Sequence, residues 1–238
     1  MKILTNEKLV KRNRRIAQIA SLSGLAVLVG GMVISFQRQD LINISFAALI
    51  VGFILSQIGI YFTTRWGRSP RPDELINQAL KGLDDKYSIY HYTTPASHLL
   101  VGPAGLWVLM PRHQRGTVSL YKGHWRHSGG GFMQTYLKLF GQESLGRPEF
   151  EMQNEIEKLK KNLQKRIGDS DLPDIQAALI FTSDKVDIQI DDDETPPAPT
   201  LYLNKLKEFI RKTAKAKPIS LYKIEEIRRV LSADELTL

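Results

Sequence analysis

Two uncharged apolar runs, residues 16–36 and 41–62, separated only by Gln37, Arg38, Gln39 and Asp40, constrain this chain more than any other feature. At about 1.5 Å rise per residue, a helix of roughly 20 residues matches a hydrocarbon core of about 30 Å. A four-residue link between two such helices forces them antiparallel. The first run is longer than the apolar region of a signal peptide, roughly 7–15 residues, and a second run follows at once. Neither run carries the polar stripe of a helix packed against a soluble core. The sequence therefore predicts a transmembrane hairpin.

Charge orients it. Lys11, Arg12, Arg14 and Arg15 precede the first run and Arg65, Arg68 and Arg71 follow the second, whereas the link offers only Arg38. Both termini are expected in the cytoplasm by the positive-inside rule. Small residues at four-residue spacing, Ala26 with Gly30 and Ala48 with Gly52 and Ser56, are candidates for the contact between the helices. Residues 1–65 hold 8 Lys/Arg against 2 Asp/Glu, and residues 66–238 hold 25 against 23. The net charge of +8 thus belongs mostly to the hairpin, which makes it weak support for a polyanion partner. Without cysteine the chain has no disulfide, thiolate metal site or cysteine nucleophile.

The rest of the chain is long enough for one domain. The expected organisation is a basic N-terminus 1–15, the hairpin 16–62, an interfacial linker 63–72 with Trp66 at headgroup level, and a soluble domain 73–238. Leu75, Ile76, Ala79, Leu80 and Leu83 recur at helical spacing after Pro72 and Asp73. Extended runs follow at 87–92, 98–101, 106–110 and 117–121, read as an antiparallel meander. Residues 128–147 read as a loop or lid around the apolar piece 136–140. A helix over 149–167 presents Met152, Ile156, Leu159, Leu163 and Ile167 on one face. A buried strand at 177–182, an acidic Pro-rich loop at 191–199 and helices near 203–212 and 221–231 complete an α/β or α+β domain.

The order helix, strand, strand, GPxG turn, strand, helix resembles the nuclease-related domain (NERD) family, within the PD-(D/E)xK restriction-endonuclease-like fold. The resemblance covers about residues 72–212. It rests on VGPAGLWVLMPRHQRG (101–116), on Trp125 and on PEFEMQNEIEKLKKNL (148–163). It implies a central mixed sheet flanked by helices. It also implies an acid on the first helix, an Asp on one strand, and a Glu and a Lys two apart on the next. The carboxylates would hold Mg²⁺ or Mn²⁺ through oxygen, and the Lys would orient the attacking water. On this chain those positions fall at Glu74, Ser97, Met110 and Arg112, and the family's glutamine falls at Gln153.

Three of the four catalytic positions depart from that pattern. A thioether is a poor ligand for a hard cation, and an Arg is no base at neutral pH. Moreover, no Asp or Glu lies between Asp85 and Glu143. That acid-free interval contains Arg112, Arg115, Lys122 and Arg126, a candidate surface for phosphate, nucleic acid or anionic lipid, and all five histidines. His124 and His127 with a third histidine form a weak zinc candidate. The expected function is a membrane-anchored, catalytically degenerate domain that binds nucleic acid or a protein partner, or scaffolds, and needs no cofactor. The alternative is a nuclease, dependent on Mg²⁺ or Mn²⁺, that recruits acids such as Glu74, Glu143, Glu149 or Glu151.

Overall fold

The computed structural model describes residues 1–128, 145–167 and 172–233. The chain divides into two compact units, Glu7–Arg71 and a second made of Met1–Asn6 with Pro72–Leu238. The expected lid at 128–147, with Gly129, Gly130, Gly131 and 136–140, falls almost wholly outside the described residues.

In the first unit, helix α1 (Glu7–Gln37) and helix α2 (Ile42–Phe62) are antiparallel, both long and apolar enough to cross a membrane. Helix α1 starts nine residues before its apolar run, because Glu7, Lys8, Lys11, Arg12, Arg14 and Arg15 are sound helix formers. The buried positions of α1, Val10, Asn13, Ala17, Ala20, Gly24 and Gly31, follow a heptad stripe, and those of α2, Ser45, Gly52 and Gly59, recur every seven residues. A Cβ at Gly52 would stand 2.6 Å from Leu28 Cγ, one at Gly31 2.7 Å from Ala48 Cβ, and one at Gly59 would overlap Ser21 Oγ. Backbones this close gain dispersion along the whole contact. The α2 side of this seam is as expected, with Ala48, Gly52 and Ser56. On α1 the expectation is corrected: Gly24 and Gly31 make the contact, while Ala26 and Gly30 are exposed and a Cβ at Gly30 meets nothing within 4 Å. Four-residue spacing marks one helical face but does not say which face is turned inward. Residues 63–67, expected as linker, form a π-helical turn that continues α2.

The second unit carries a six-stranded mixed sheet. In chain order its strands are β1 (Lys2–Thr5), β2 (Ser88–His91), β3 (His98–Gly102), β4 (Gly105–Arg112), β7 (Ile175–Phe181) and β9 (Thr200–Tyr202), and the spatial order is the same. Strands β2, β3 and β4 form an antiparallel meander; β1 joins β2, β7 joins β4 and β9 joins β7 in parallel. Only β3 runs against the others. Tyr90, Leu99, Val101, Leu106, Val108, Met110, Leu179 and Phe181 face one hydrophobic cluster with helices α4 (Pro148–Ile167) and α6 (Leu221–Ala233). Ile89, Leu100, Trp107, Leu109, Ala178 and Ile180 face the other with α3 (Pro72–Ala79) and α5 (Leu206–Ala216). Strands buried on both faces read as continuous apolar runs, which is why these segments stand out in the sequence. In the GPxG turn Gly105 holds φ +106°, and a Cβ on Gly102 would overlap the Tyr87 ring.

Two expectations are corrected here. Strand β5 (Gly116–Tyr121) does not extend the meander. It pairs with β6 (His124–Ser128) and β8 (Val186–Gln189) in a separate three-stranded sheet. Lys122 and Gly123, both at positive φ, make the tight turn between β5 and β6, and Trp125 packs its ring 6.5 Å from Phe181. Second, the N-terminus is not merely a basic tail. Residues 2–5 are an edge strand, with Leu4 buried in the core, and the sequence expectation missed it because four residues are too few to show a period.

Two outcomes follow for this packing. Leu4→Ala is expected to lower stability by about 2 kcal/mol or more, read as a denaturation shift of the detergent-solubilised protein; no shift would detach β1 from the sheet. Gly59→Val is expected to lower the melting temperature of the hairpin while Gly30→Val leaves it unchanged, and the reverse order would contradict the seam.

Candidate functional site

Strands β2, β4 and β7 end, and β3 begins, at one edge of the sheet, so the residues of that edge are brought together from distant parts of the sequence. In α/β sheets this carboxyl edge is where ligands commonly bind. His91 closes β2 and His98 opens β3, and the two are a cross-strand pair. Their Nδ1 atoms lie 2.8 Å apart, and the residues are 0% and 3% exposed. His91 Nε2 lies 3.0 Å from Asn77 Oδ1 on α3. With that oxygen accepting, neutral His91 carries its proton on Nε2, and its bare Nδ1 accepts from Nδ1–H of His98. Tyr92, at φ 59°, donates to Asp73 at 3.5 Å, and its ring packs edge-on to His98 at 5.0 Å. Asp73 is 1% exposed. The helix acid of the resemblance falls at Glu74, but the carboxylate turned into this cluster is its neighbour Asp73.

Burial first, and the neighbouring His91 second, hold His98 well below the ordinary histidine range. His98 is therefore neutral near pH 7.

Beside this cluster, Ser97 donates both its backbone N–H (3.1 Å) and its hydroxyl (2.8 Å) to Glu155 of α4. One turn earlier on the same helix, Glu151 accepts from Arg112 at 2.7 Å. Met110 is buried in the core behind them. Pro111 is tolerated because β4 has run past β3 at this point, so its missing N–H interrupts no ladder on that side. Gln153 is exposed on α4 and donates to Glu157 at 3.3 Å, away from this row.

The cations of the acid-free interval are not acid-free in space. Glu151 reaches Arg112, Glu149 lies 3.4 Å from His124, and Glu194 of the acidic loop accepts the backbone N–H groups of Lys122 and Gly123. Arg126 stacks over the Tyr121 ring at 4.2 Å, and Lys122 stands 5.4 Å from it. His127 Nε2 donates to the carbonyl of Arg115 at 2.6 Å, so that nitrogen is not available as a zinc ligand. Of the four cations expected to form an anion surface, Arg112 is thus paired with Glu151, whereas Arg115, Lys122 and Arg126 have no acidic side-chain partner among the described residues. Sequence reasoning also missed Asp73, Asn77 and Glu155. A usable signal was present, since His91 and His98 flank the 92–97 turn symmetrically between two extended runs.

Compared with known proteins, no family model matches the chain, and neither a curated protein nor a solved structure matches it at a significant level.

The buried pair makes stability depend on pH. Because the folded-state value of His98 is depressed, the unfolded chain takes up a proton as pH falls below about 6.5 and the folded chain does not. Stability should be flat above that pH and fall below it by up to about 1.4 kcal/mol per unit. Melting of the solubilised protein between pH 8 and 5 tests this; His98→Asn should remove most of the slope, and an unchanged slope would assign it to other groups.

Proposed function

We propose that this chain is a membrane-anchored domain protein whose α/β unit binds or scaffolds and does not cleave. The hairpin is read as inserted in the membrane, with its basic end and the α/β unit on the cytoplasmic side. The same-side arrangement is supported by β1: a strand that precedes both apolar helices belongs to the sheet that follows them. Two crossings, or none, return the chain to its starting side.

The degenerate reading rests on one observation, the engagement of Glu155 and Glu151 by Ser97 and Arg112. Where the nuclease-related resemblance calls for free carboxylates facing a cation, this chain has a serine and an arginine that tie down α4. Both oxygens of Glu155 accept from Ser97, so coordinating a metal would cost those bonds. The element order helix, three strands with a GPxG turn, helix and strand is consistent with the family expectation. The alternative, a metal-dependent nuclease with relocated acids, draws on the same pair, since Glu151 and Glu155 bring two carboxylates to the edge of the sheet. Of the other candidate acids, Glu74 stands next to Asp73 on α3, Glu149 lies 3.4 Å from His124, and Glu143 lies outside the described residues.

Incubating the full-length protein in detergent with DNA and RNA in Mg²⁺ or Mn²⁺ separates the two readings. No cleavage above that of the Glu155→Ala variant is expected. Cleavage that disappears with chelator and in Glu155→Ala or Glu151→Ala would replace the scaffold reading with the nuclease. The full chain is needed because a fragment starting after the hairpin lacks β1.

A further inference from the structure

Several cations have an acidic partner: Arg112 with Glu151, Arg228 with Glu225, Lys223 with Glu226, Lys205 with Glu208 and Arg38 with Asp40. Lys207 and Arg211 donate to the carbonyls of Lys81 and Gly82 at the end of α3. Other cations, such as Lys212 and Lys215, have no acidic partner among the described residues, but at the open end of the hairpin such cations are crowded together. Lys11, Arg12, Arg14 and Arg15 of α1, and Arg68 after α2, have no acidic partner among the described residues, and the one acid there, Glu7, lies 3.7 Å from Arg71.

Several of these cations repel one another along α1. Lys8 with Arg12 and Lys11 with Arg15 are like charges four residues apart, and Arg12 with Arg15 are three apart, each repulsive on a helix surface. Lys8 lies in the first turn, where the helix dipole also disfavours a cation. A counter-charge from outside the protein relieves the repulsion of Lys11 with Arg15 and of Arg12 with Arg15.

The packing brings these cations to one end of the hairpin. Gly59 meets Ser21, Gly52 meets Leu28 and Gly24 meets Ser56. Continued by one further turn or two, this antiparallel register brings Arg12, Arg14 and Arg15 level with Arg65, Trp66 and Arg68. Around Trp66 the rings of Tyr61 and Phe62 pack at 6.3 and 5.3 Å, and Arg65 bonds the Tyr61 hydroxyl at 2.9 Å while lying over its ring. Such an aromatic and arginine cluster at the end of an apolar helix marks headgroup depth.

We propose that Lys11, Arg12, Arg14, Arg15 and Arg68 form a collar that binds the phosphates of anionic phospholipid headgroups, a lipid-selective site and not only a signal for orientation. It rests on the reading of the hairpin as membrane-inserted. At the link, Arg38 and Asp40 neutralise each other at 3.2 Å, so selectivity belongs to one leaflet.

The test uses full-length protein reconstituted into nanodiscs of mixed phosphatidylcholine and phosphatidylglycerol, then released in mild detergent, with retained lipids counted by native mass spectrometry. Enrichment of phosphatidylglycerol over its bulk fraction by roughly tenfold is expected. Replacing the five cations by Gln should bring retention close to the bulk ratio, whereas Lys205→Gln just before α5 with Lys212→Gln and Lys215→Gln on α5 should leave it unchanged. Bulk-like retention by the native chain, or undiminished enrichment in the five-fold variant, would overturn the collar. So would co-purified nucleic acid that competes with the lipid. Alkaline extraction is run in parallel: release of the native chain without detergent would refute membrane insertion itself, a failure distinct from loss of lipid selectivity.

Discussion

The parallel ladder between β1 and β2 is the constraint on which the other features depend. Lys2 pairs with Ser88 and Thr5 with His91, so four residues at one end of the chain are fixed beside a strand more than eighty positions away. The whole hairpin is the loop closed by this ladder. Closing so long a loop is entropically unfavourable, but the cost grows only slowly with length, and a stiff pair of antiparallel helices returns the chain near its start. Asn6 donates to the carbonyl of His91 at 3.0 Å at the last step before α1, and α3 opens with Asp73 beside Tyr92. The chain thus leaves and re-enters the α/β unit at the histidine cluster.

The histidine pair in that cluster is polar and buried, held by the contact between the two Nδ1 atoms and by the bond of His91 to Asn77. The neighbouring row follows the same logic with charge: Glu155 with Ser97 and Glu151 with Arg112. Both rows join a helix to the carboxyl edge of the sheet, and neither leaves a carboxylate oxygen of Glu155 free. An edge built this way resists movement of α3 and α4.

Much of the fold was legible in the sequence, and the exceptions have physical causes. The two apolar helices, the 98–101 and 106–110 strands and the amphipathic helix near 149–167 announce themselves because burial on one or both faces imposes a period or a run. Strands β1, β8 and β9 did not, being three or four residues long at sheet edges with exposed positions. The inward face of α1 was missed because Ala26 with Gly30 and Gly24 with Gly31 are equally plausible seams until α2 is set against them. The candidate site was half legible. Ser97, Met110 and Arg112 were named as positions lacking the expected chemistry, and Glu151 as a candidate acid, but the pairing of Ser97 with Glu155 and of Arg112 with Glu151 comes from α4, and no pattern in the 86–142 interval points there. Likewise Glu194 approaches the β5–β6 turn from a loop seventy residues on.

The most direct test of the β1–β2 ladder exploits the absence of native cysteine. Cysteines replacing Ile3 and Ile89, partners in the parallel register, should form a disulfide in native membranes under mild oxidation, seen as a shift in gel mobility reversed by reductant. Failure of these residues to cross-link, with the two thiols labelled by an impermeant reagent from opposite sides of the membrane, would contradict both the ladder and the shared side of the two chain segments.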